Sequence, residues 1–488
     1  MKNFIFILFI STLLVSCEDF LNLQPVSEIG EGNFYKTTEE LEKVLVGCYT
    51  TLQETVEHEW LLSEFRSDNT LYNPSFSSGR LATMFALDVF NVTAENEYVD
   101  NFYTAAYSSI GSVNTLLNYQ DVISDSTMKG HLTGQARFIR AYQYFNLVRL
   151  FGPVFLANDK LNSGQANEMY RSTEEQVYNQ IINDLEFASN NINDSLYTDN
   201  DAGRVTTWAA KTLLAKVHLT LGDNDTVKQI LEDVMLNSGH SLLSSYGSVF
   251  SNDNEMNNEI IFAIRFQSNA GGLGNPLSTL FAPNGIEDVV VKGSGRGYNY
   301  PATELLDEYL PADARKAASV YDPFDASTHA GISEQINANF IKKYIASQPI
   351  DYDSDADFIV LRYADVILMY AEAVNELEGF ATATPYLNQI RNRANLSSIF
   401  PDSEHQFRLA LERERRLEFA FENHRWYDLL RSNRVNAVMS SHFIKASEYG
   451  LIAGEVYVPE QIESWKELLP IPQSQIDINP GFSQNFGY

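Results

Sequence analysis

The chain has 488 residues, 44% of them hydrophobic and 12% aromatic, so it can bury a large apolar core. Its 34 basic and 64 acidic side chains give a net charge of −30 at pH 7. That charge repels phosphate backbones and excludes nucleic acid as a partner, and the 2 cysteines are too few for a disulfide framework.

The chain starts with a short apolar run that ends at a cysteine. No charged residue lies between Phe4 and Val15, and Lys2 precedes the run. A membrane-spanning helix needs about 20 apolar residues, so this shorter run, followed by the small Ser16, is typical of a secretory signal peptide. We therefore expect residues 1–16 to be removed.

The end of that run carries a second signal. The sequence Leu14-Val15-Ser16-Cys17 resembles the lipobox of bacterial lipoproteins, in which the peptide is cut before the cysteine and the thiol is lipidated. The resemblance implies that Cys17 carries a lipid anchor. Each buried methylene of an acyl chain contributes about 0.8 kcal/mol, so several chains on one residue would hold the protein firmly at a membrane.

A long helix is predicted in the segment "TGQARFIRAYQYFNLVRLFG". Its apolar residues recur at spacings of four and three and form one apolar stripe, made of Phe138, Tyr142, Phe145 and Val148. The helix is expected to stop at the Gly152-Pro153 pair, because neither residue favours its continuation.

Two later segments each predict a pair of helices joined by a tight turn. In "WAAKTLLAKVHLTLGDNDTVKQILEDVML" the turn falls at Gly222. In "ADVILMYAEAVNELEGFATATPYLNQIRNRANL" it falls at Gly379, and the second helix is expected from about Thr384. Such hairpins resemble tetratricopeptide units, which repeat every 34 residues or so. Long insertions break that period here.

A loop-rich region is predicted between about residues 240 and 360. It contains "GGLGNP", "KGSGRGYNYP" and "YDPFDAS", while the short run "EIIFAIRF" predicts a β-strand. A length of this size suggests about three domains, but no Gly/Ser-rich or Pro-rich linker divides the chain. We therefore expect residues 17–488 to form one domain, mainly α, with a tetratricopeptide-like helical-hairpin scaffold and a loop-rich, minor-β subregion.

No motif in the sequence predicts catalysis. The zinc motif HExxH, the CxxC pair and the nucleophile motif GxSxG are absent, and "KGSGRG" lacks the ending of a phosphate-binding loop. Pairs of carboxylates, as a glycosidase needs, will occur by chance among 64 acids. We assign no catalytic residue, metal ligand or cofactor.

The densest charged segment, "LERERRLEFAFENHRW", predicts structure instead of chemistry. We expect a network of ion pairs that involves its arginines, which are Arg413, Arg415, Arg416 and Arg425. Cys48, the only cysteine besides Cys17, is expected to be a small buried hydrophobic residue.

The segments together resemble one family in the order in which they occur. After the lipobox come "GQARFIRAYQYFNLVRLFG", "RSTEEQVYNQIINDLEFA", "GRVTTWAAKTLLAKVHLTLGD" and "EIIFAIRF". They are followed by "RYADVILMYAEAVNE", "LERERRLEFAFENHRWYDLLR" and "LLPIPQSQIDINPGFSQNFGY". This set is similar to the SusD/RagB family of Bacteroidetes outer-membrane lipoproteins over nearly the whole mature chain. One departure is Tyr98, which stands where the family usually has Trp.

The resemblance implies a nutrient-binding protein without catalytic activity, anchored by lipid to the outer membrane and exposed at the cell surface. It implies capture of a glycan (oligosaccharide) and its delivery to a partner, a SusC-like TonB-dependent transporter. In some branches the family binds peptides. Glu18 and Asp19, just after the lipidated cysteine, resemble the signal that directs such lipoproteins outward.

A sugar site needs flat aromatic rings and polar side chains on loops that a rigid scaffold holds. Two stretches combine these residue types. The first, "SEFRSDNTLYNPSFSSGR", offers five candidate ligand-binding residues: Asp68, Asn69, Tyr72, Phe76 and Arg80. Of these, Asp68 and Asn69 match the family's SD(N/D) loop by motif. The second, "GSGRGYNYP", offers Arg296, Tyr298 and Tyr300.

Three other functions stay open at this point. The chain could be a peptide-binding member of the same family. It could be a surface glycoside hydrolase, which would release reducing ends from polysaccharide. It could also be a tetratricopeptide scaffold that binds only protein and no soluble ligand.

Overall fold

The computed structural model describes residues 35–72, 81–157, 170–329, 336–346, 349–448, 461–479 and 481–488. The expected signal peptide and Cys17, the expected site of the lipid anchor, lie outside the described residues. In the described part of the chain, no helix combines the length and apolar character needed to cross a bilayer.

The described residues are mainly α-helical, as the sequence predicts. In chain order the helices are α1 (Thr38–Leu62), α2 (Ala82–Asp88), α3 (Glu97–Asn118), α4 (Ser126–Phe151), α5 (Glu174–Asn191), α6 (Thr207–Leu221), α7 (Asn224–Asn237), α8 (Leu277–Phe281), α9 (Thr303–Glu308), α10 (Ala314–Ser319), α11 (Tyr363–Glu378), α12 (Phe380–Arg393), α13 (Glu404–Glu418), α14 (Arg425–Arg431), α15 (Val435–Glu448) and α16 (Gln473–Ile478).

Short strands pair into small antiparallel sheets. The strands are β1 (Thr70–Leu71), β2 (Ile260–Ile264), β3 (Tyr300–Pro301), β4 (Val320–Tyr321), β5 (Phe340–Ile341) and β6 (Phe358–Arg362). Strand β1 pairs with β3, β2 with β6 and β4 with β5. The strand predicted from "EIIFAIRF" is confirmed as β2, which is buried along its whole length.

The long helices pack in a row of successive neighbours. Contacts run from α1 to α3, α4, α5, α6 and α7, then directly from α7 to α11, and on to α12 and α13. The segment between α7 and α11 is therefore an insertion, because the helix row continues past it. This insertion is the loop-rich region that the sequence predicts.

Glycines end the helices at the predicted turns. Helix α4 stops at Phe151, and α6 ends at Gly222, whose φ of 78° is left-handed. The side chain of Asp223 then caps α7 by accepting a hydrogen bond from the backbone of Thr226 at 3.2 Å. The expected start of α12 near Thr384 is wrong: Gly379 turns the chain within one residue, at φ 87°, and the helix begins immediately.

One hydrophobic cluster extends from Leu41 in α1 to Ile471 near the end of the chain. Cys48 is fully buried in it, and burial raises the pKa of its thiol to about 12, so the prediction of a small buried hydrophobic residue is confirmed. Helix α4 departs from the single predicted stripe because it is buried on most of its faces. Its Arg140 is neutralised there by Asp184 at 2.8 Å.

Candidate functional site

The two predicted stretches meet in space. Strand β1 lies within the first stretch and pairs with β3 at the end of the second, so that Leu71 lies opposite Tyr300. The backbone N–H of Ala302 extends this contact by donating to the carbonyl oxygen of Asn69 at 2.9 Å. Segments far apart in the sequence therefore share one location.

Asp68 lies in the interior and is not on an open loop as expected. Arg425 donates to both carboxylate oxygens of Asp68, at 2.7 and 3.0 Å. A guanidinium nitrogen of Arg416 lies 3.1 Å from one of these oxygens. Burial alone would raise the pKa of Asp68, but the two guanidinium groups hold it well below its usual range. Asp68 therefore joins helices α13 and α14 to the first stretch.

The expected exposure of Asn69 and Tyr72 is also wrong. Asn69 is fully buried, and its amide donates to Glu64 at 2.8 Å and accepts from Arg416 at 3.0 Å. Tyr72 is buried with its ring centroid 4.1 Å from that of Phe85. Burial raises the pKa of Tyr72 to about 12. These side chains fix the scaffold, because protein groups surround them. Phe76 and Arg80 lie outside the described residues.

The predicted ion-pair network is confirmed. Arg415 binds Asp365 at 2.9 Å and Asp428 at 2.8 Å, and Arg416 binds Glu308 at 2.6 Å. Arg413 lies further out, with 48% of its side chain exposed. Because removal of one partner from a buried pair leaves an uncompensated charge, these contacts fix the relative positions of the helices around the first stretch.

Arg296 is one of the predicted residues that stay partly accessible, with 30% of its side chain exposed. Its Nε donates to the phenol of Tyr352 at 2.6 Å, and another guanidinium nitrogen donates to Asp351 at 2.9 Å. Its guanidinium lies 4.9 Å from the centroid of the Tyr352 ring. Partial burial alone would lower the pKa of Arg296, but the bond to Tyr352 and the charge of Asp351 raise it.

We call the group formed by Arg296, Tyr298, Tyr300, Asp351 and Tyr352 the Arg296 face. Tyr298 is partly buried against the main core, and Tyr300 is half-buried on β3. Tyr352 is 40% exposed. The face thus presents a planar ring with a cation and a carboxylate beside it.

The backbone beneath the Arg296 face is fixed by helix α8. The N–H of Arg296 donates to the carbonyl oxygen of Thr279 at 2.9 Å, and that of Tyr298 donates to Leu280 at 2.9 Å. The hydroxyl of Thr279 also accepts from the N–H of Tyr352 at 2.9 Å. One short helix therefore holds both halves of the face, which matches the arrangement of functional side chains on loops over a rigid support.

Two glycines of "GSGRG" are required by this packing. A Cβ on Gly295 would lie 2.3 Å from the carbonyl oxygen of Ala282. Gly297 has a left-handed φ of 59°, and a Cβ there would lie 2.5 Å from the phenol oxygen of Tyr300. The glycines let the segment approach α8 closely, and this approach positions Arg296.

The sequence reasoning missed Asp351 and Tyr352. An aromatic residue between acids in "PIDYDSD" is a signal that could have marked them. The acids that follow hold a neighbouring loop: Asp353 accepts from the backbone of Asn269 at 2.8 Å, and Asp355 accepts from Ser268 at 2.7 Å. Their carboxylates therefore support the loop that runs beside Tyr352.

The chemistry of the Arg296 face is that of recognition. An exposed ring can cover the apolar side of a flat ligand, and a guanidinium and a carboxylate can bond its hydroxyl groups. Among the described residues, no cluster of three or more His, Cys, Asp or Glu side chains is arranged to hold a metal ion.

Family models match both ends of the chain. Residues 19–219 match the model described as "Starch-binding associating with outer membrane", and residues 337–488 match the SusD family model. A SusD-like protein of Formosa agariphila is 26% identical over an alignment 525 positions long, which covers 98% of this chain and 97% of that protein. A SusD-like protein of Bacteroides ovatus is 28% identical, with 96% and 94% covered.

Solved structures share the fold. A laminarin-binding SusD-like protein superposes with a TM-score of 0.76 at 27% identity, covering 93% of this chain and 100% of that one. Surface glycan-binding protein A of Bacteroides thetaiotaomicron, in complex with laminarihexaose, has a TM-score of 0.76 at 21% identity, with 92% and 99% covered. The mainly α fold expected from the sequence is thereby confirmed.

Proposed function

This chain belongs to the SusD/RagB family, and from that premise we propose that it captures oligosaccharide at the cell surface for import. The observation that carries the proposal is the accessible pair of Tyr352 and Arg296, which α8 holds in place. Relatives of similar length and fold include a laminarin-binding protein, which supports a glycan as the ligand.

In this proposal the ligand lies on the Arg296 face. The ring of Tyr352 stacks on the apolar side of a sugar ring, while Arg296 and Asp351 bond its hydroxyl groups. Tyr298 and Tyr300 line the base of the face. Arg296 and Asp351 together suit the hydroxyl groups of a sugar, because the guanidinium donates hydrogen bonds and the carboxylate accepts them.

We further propose that the mature protein is residues 17–488, a single domain anchored to the outer membrane through acylated Cys17. The hydrophobic cluster that extends from α1 to Ile471 supports one continuous domain. The description of one matching family model as associating with the outer membrane supports the location. In the native host the unchanged protein should incorporate labelled fatty acid and sediment with membranes, whereas a Cys17→Ala variant should incorporate no label.

The proposed partner is a SusC-like TonB-dependent transporter, to which the protein passes its ligand intact. The protein itself cleaves nothing. Affinity purification of the membrane-anchored protein in mild detergent should recover a large TonB-dependent transporter in stoichiometric amount. Recovery of the anchored protein without any such transporter would contradict this part of the proposal.

The binding site is tested by titration calorimetry of the purified protein with laminarihexaose and a panel of other neutral oligosaccharides. Tyr352→Ala and Arg296→Ala should each weaken, by at least tenfold, binding of the oligosaccharide that the unchanged protein binds. The first removes the ring that stacks on the sugar, the second removes the guanidinium that bonds its hydroxyl groups, and each also breaks the Arg296–Tyr352 hydrogen bond. Tyr170→Ala is the matched control, since Tyr170 is an exposed tyrosine outside the face, and its affinity should equal that of the unchanged protein.

Two outcomes would overturn the proposal. Saturable binding of peptides but of no oligosaccharide would favour the peptide-capturing branch of the family. New reducing ends in the incubated oligosaccharide would instead show a hydrolase. Equal losses in Tyr352→Ala and Tyr170→Ala would move the site away from the Arg296 face.

A further inference from the structure

A second cavity lies between helices α9, α13 and α15, separate from the Arg296 face. Its volume is about 540 Å³, which is within the range of small-molecule sites. Only a few apolar side chains reach it, namely Leu409, Ala437 and Val438. The remaining wall is polar, so the cavity does not suit an apolar ligand.

The charge of this cavity differs in sign from that of the whole chain. Four arginines and Lys445 line it, against four carboxylates, whereas the chain as a whole carries −30. Most of these arginines are engaged with carboxylates, as Arg434 is with Glu412 at 3.0 Å. Lys445 is exposed and has no carboxylate partner among the residues that the structure describes.

The floor of the cavity holds polar atoms that lack partners. His442 is 2% exposed, and its Nδ1 is hydrogen-bonded to one carboxylate oxygen of Glu304. The other ring nitrogen of His442 and the other oxygen of Glu304 have no hydrogen-bond partner in the described part of the chain. Leaving a buried polar group unpaired costs about 1 to 3 kcal/mol, and both side chains line the cavity.

We infer that this cavity binds an acidic sugar unit, one that carries a carboxylate or a sulfate. The anionic group pairs with Lys445 and Arg413 at the rim, and the sugar hydroxyls bond the free atoms of Glu304 and His442 at the floor. An acidic peptide would supply the anion but few hydroxyl groups for that floor. The inference rests on the proposed glycan-binding function and names a class of glycan for it.

The test is calorimetry of the full protein at low salt with two matched probes. One is an oligouronate, and the other is the same oligosaccharide after reduction of its carboxyl groups. The oligouronate should bind at least tenfold more tightly, and its affinity should fall as salt rises, because charges at the rim are screened. A sulfated oligosaccharide tests the other source of the anion.

Variants then locate the binding. Lys445→Ala and Arg413→Ala should each weaken oligouronate binding by at least fivefold and leave binding of the reduced probe unchanged. The matched control is Arg408→Ala on the same helix, α13. The side chain of Arg408 is 56% exposed and pairs with Glu376 at 2.7 Å, much as Arg413 pairs with Glu308. Unlike Arg413, Arg408 does not line the cavity. Circular dichroism confirms that each variant is folded.

The outcomes separate this inference from the function on which it rests. If neutral oligosaccharides bind and neither acidic probe binds more tightly, the inference is overturned while the proposed function stands. If no oligosaccharide binds, both fall. Tight binding of an acidic probe that Lys445→Ala and Arg413→Ala leave unchanged, or of an acidic peptide alone, also overturns the inference.

Discussion

At the scale of single residues, the partners of Asp68 decide its role. Its carboxylate accepts two hydrogen bonds from Arg425, and Arg416 lies on its other side. Asp351 has the same functional group but keeps 37% of its side chain exposed. The first carboxylate stabilises the scaffold, whereas the second pairs with Arg296 at 2.9 Å and stays partly accessible to solvent.

We expect Asp68→Asn to destabilise the protein by about 3 kcal/mol. The substitution leaves two buried guanidinium groups without their shared counter-charge, and a broken buried pair typically costs this much. Urea denaturation measures the change. The control is Asp121→Asn, because Asp121 is 93% exposed and its loss should change stability by less than about 0.5 kcal/mol. Equal effects at the two positions would contradict the structural role of Asp68.

Glu64 predicts a pH dependence. Burial raises its pKa from 4.5 to about 7, although it accepts hydrogen bonds from the backbone of Phe421 and Asn423. Between these values the folded state binds more protons than the unfolded state, so this group lowers stability as pH rises. The difference between the two pKa values corresponds to about 3 kcal/mol of unfolding free energy.

Glu64→Gln should remove this pH dependence. Urea denaturation of both proteins at pH 5 and pH 8 measures it. Glutamine has one side-chain oxygen, so it cannot accept hydrogen bonds from both Phe421 and Asn423, and the variant should be less stable than the unchanged protein at pH 5. Between pH 5 and pH 8 the unfolding free energy of the variant should rise by about 3 kcal/mol relative to that of the unchanged protein. An unchanged stability difference at the two pH values would rule out a raised pKa at Glu64.

The sequence could predict the residue types of the candidate site but not their burial. The partial exposure of Arg296 agrees with its setting, because an arginine among glycines and tyrosines predicts an exposed loop. Asp68 was misassigned because its partner Arg425 lies far along the chain, and no local pattern reveals such a pairing. Tyr352 was missed for the same reason, since its contact with Arg296 forms only after both segments reach α8.

At the scale of elements, the loop that carries Arg296 depends on a close approach to α8. We expect Gly295→Ala to weaken oligosaccharide binding by at least fivefold, because its Cβ would collide with the carbonyl oxygens of Ala282 and Pro283 and shift Arg296. Calorimetry measures the affinity. Gly47→Ala is the control. Gly47 lies within α1 with open space around it, so the affinity of this variant for the oligosaccharide should equal that of the unchanged protein.

A Gly295→Ala variant with undiminished affinity would show that the loop tolerates displacement, and it would weaken the assignment of the site.

Helices were easier to predict than this loop. The hairpins have tight turns at Gly222 and Gly379, and both are read directly from local residue types. The conformation around Arg296 depends on contacts with α8 and Tyr352, which local propensity does not encode.

At the scale of the whole molecule, a row of helices supports an inserted loop-rich region. Helix α7 packs directly on α11, so the insertion does not interrupt the scaffold. The Arg296 face lies in the insertion, and the ion-paired helices α13 and α14 hold the adjacent first stretch in place. The helix row therefore keeps its packing past the insertion, and the loops of the insertion lie outside that row.

The central claim is that this molecule holds an oligosaccharide reversibly and releases it intact. The most direct measurement incubates the purified protein with a panel of the neutral oligosaccharides, the oligouronate and the sulfated oligosaccharide, and follows calorimetric binding and reducing ends in the same samples. We expect saturable binding of at least one oligosaccharide, weakened at least tenfold in Tyr352→Ala, with no increase in reducing ends. Absence of saturable binding across the panel, or a steady rise in reducing ends, would contradict it.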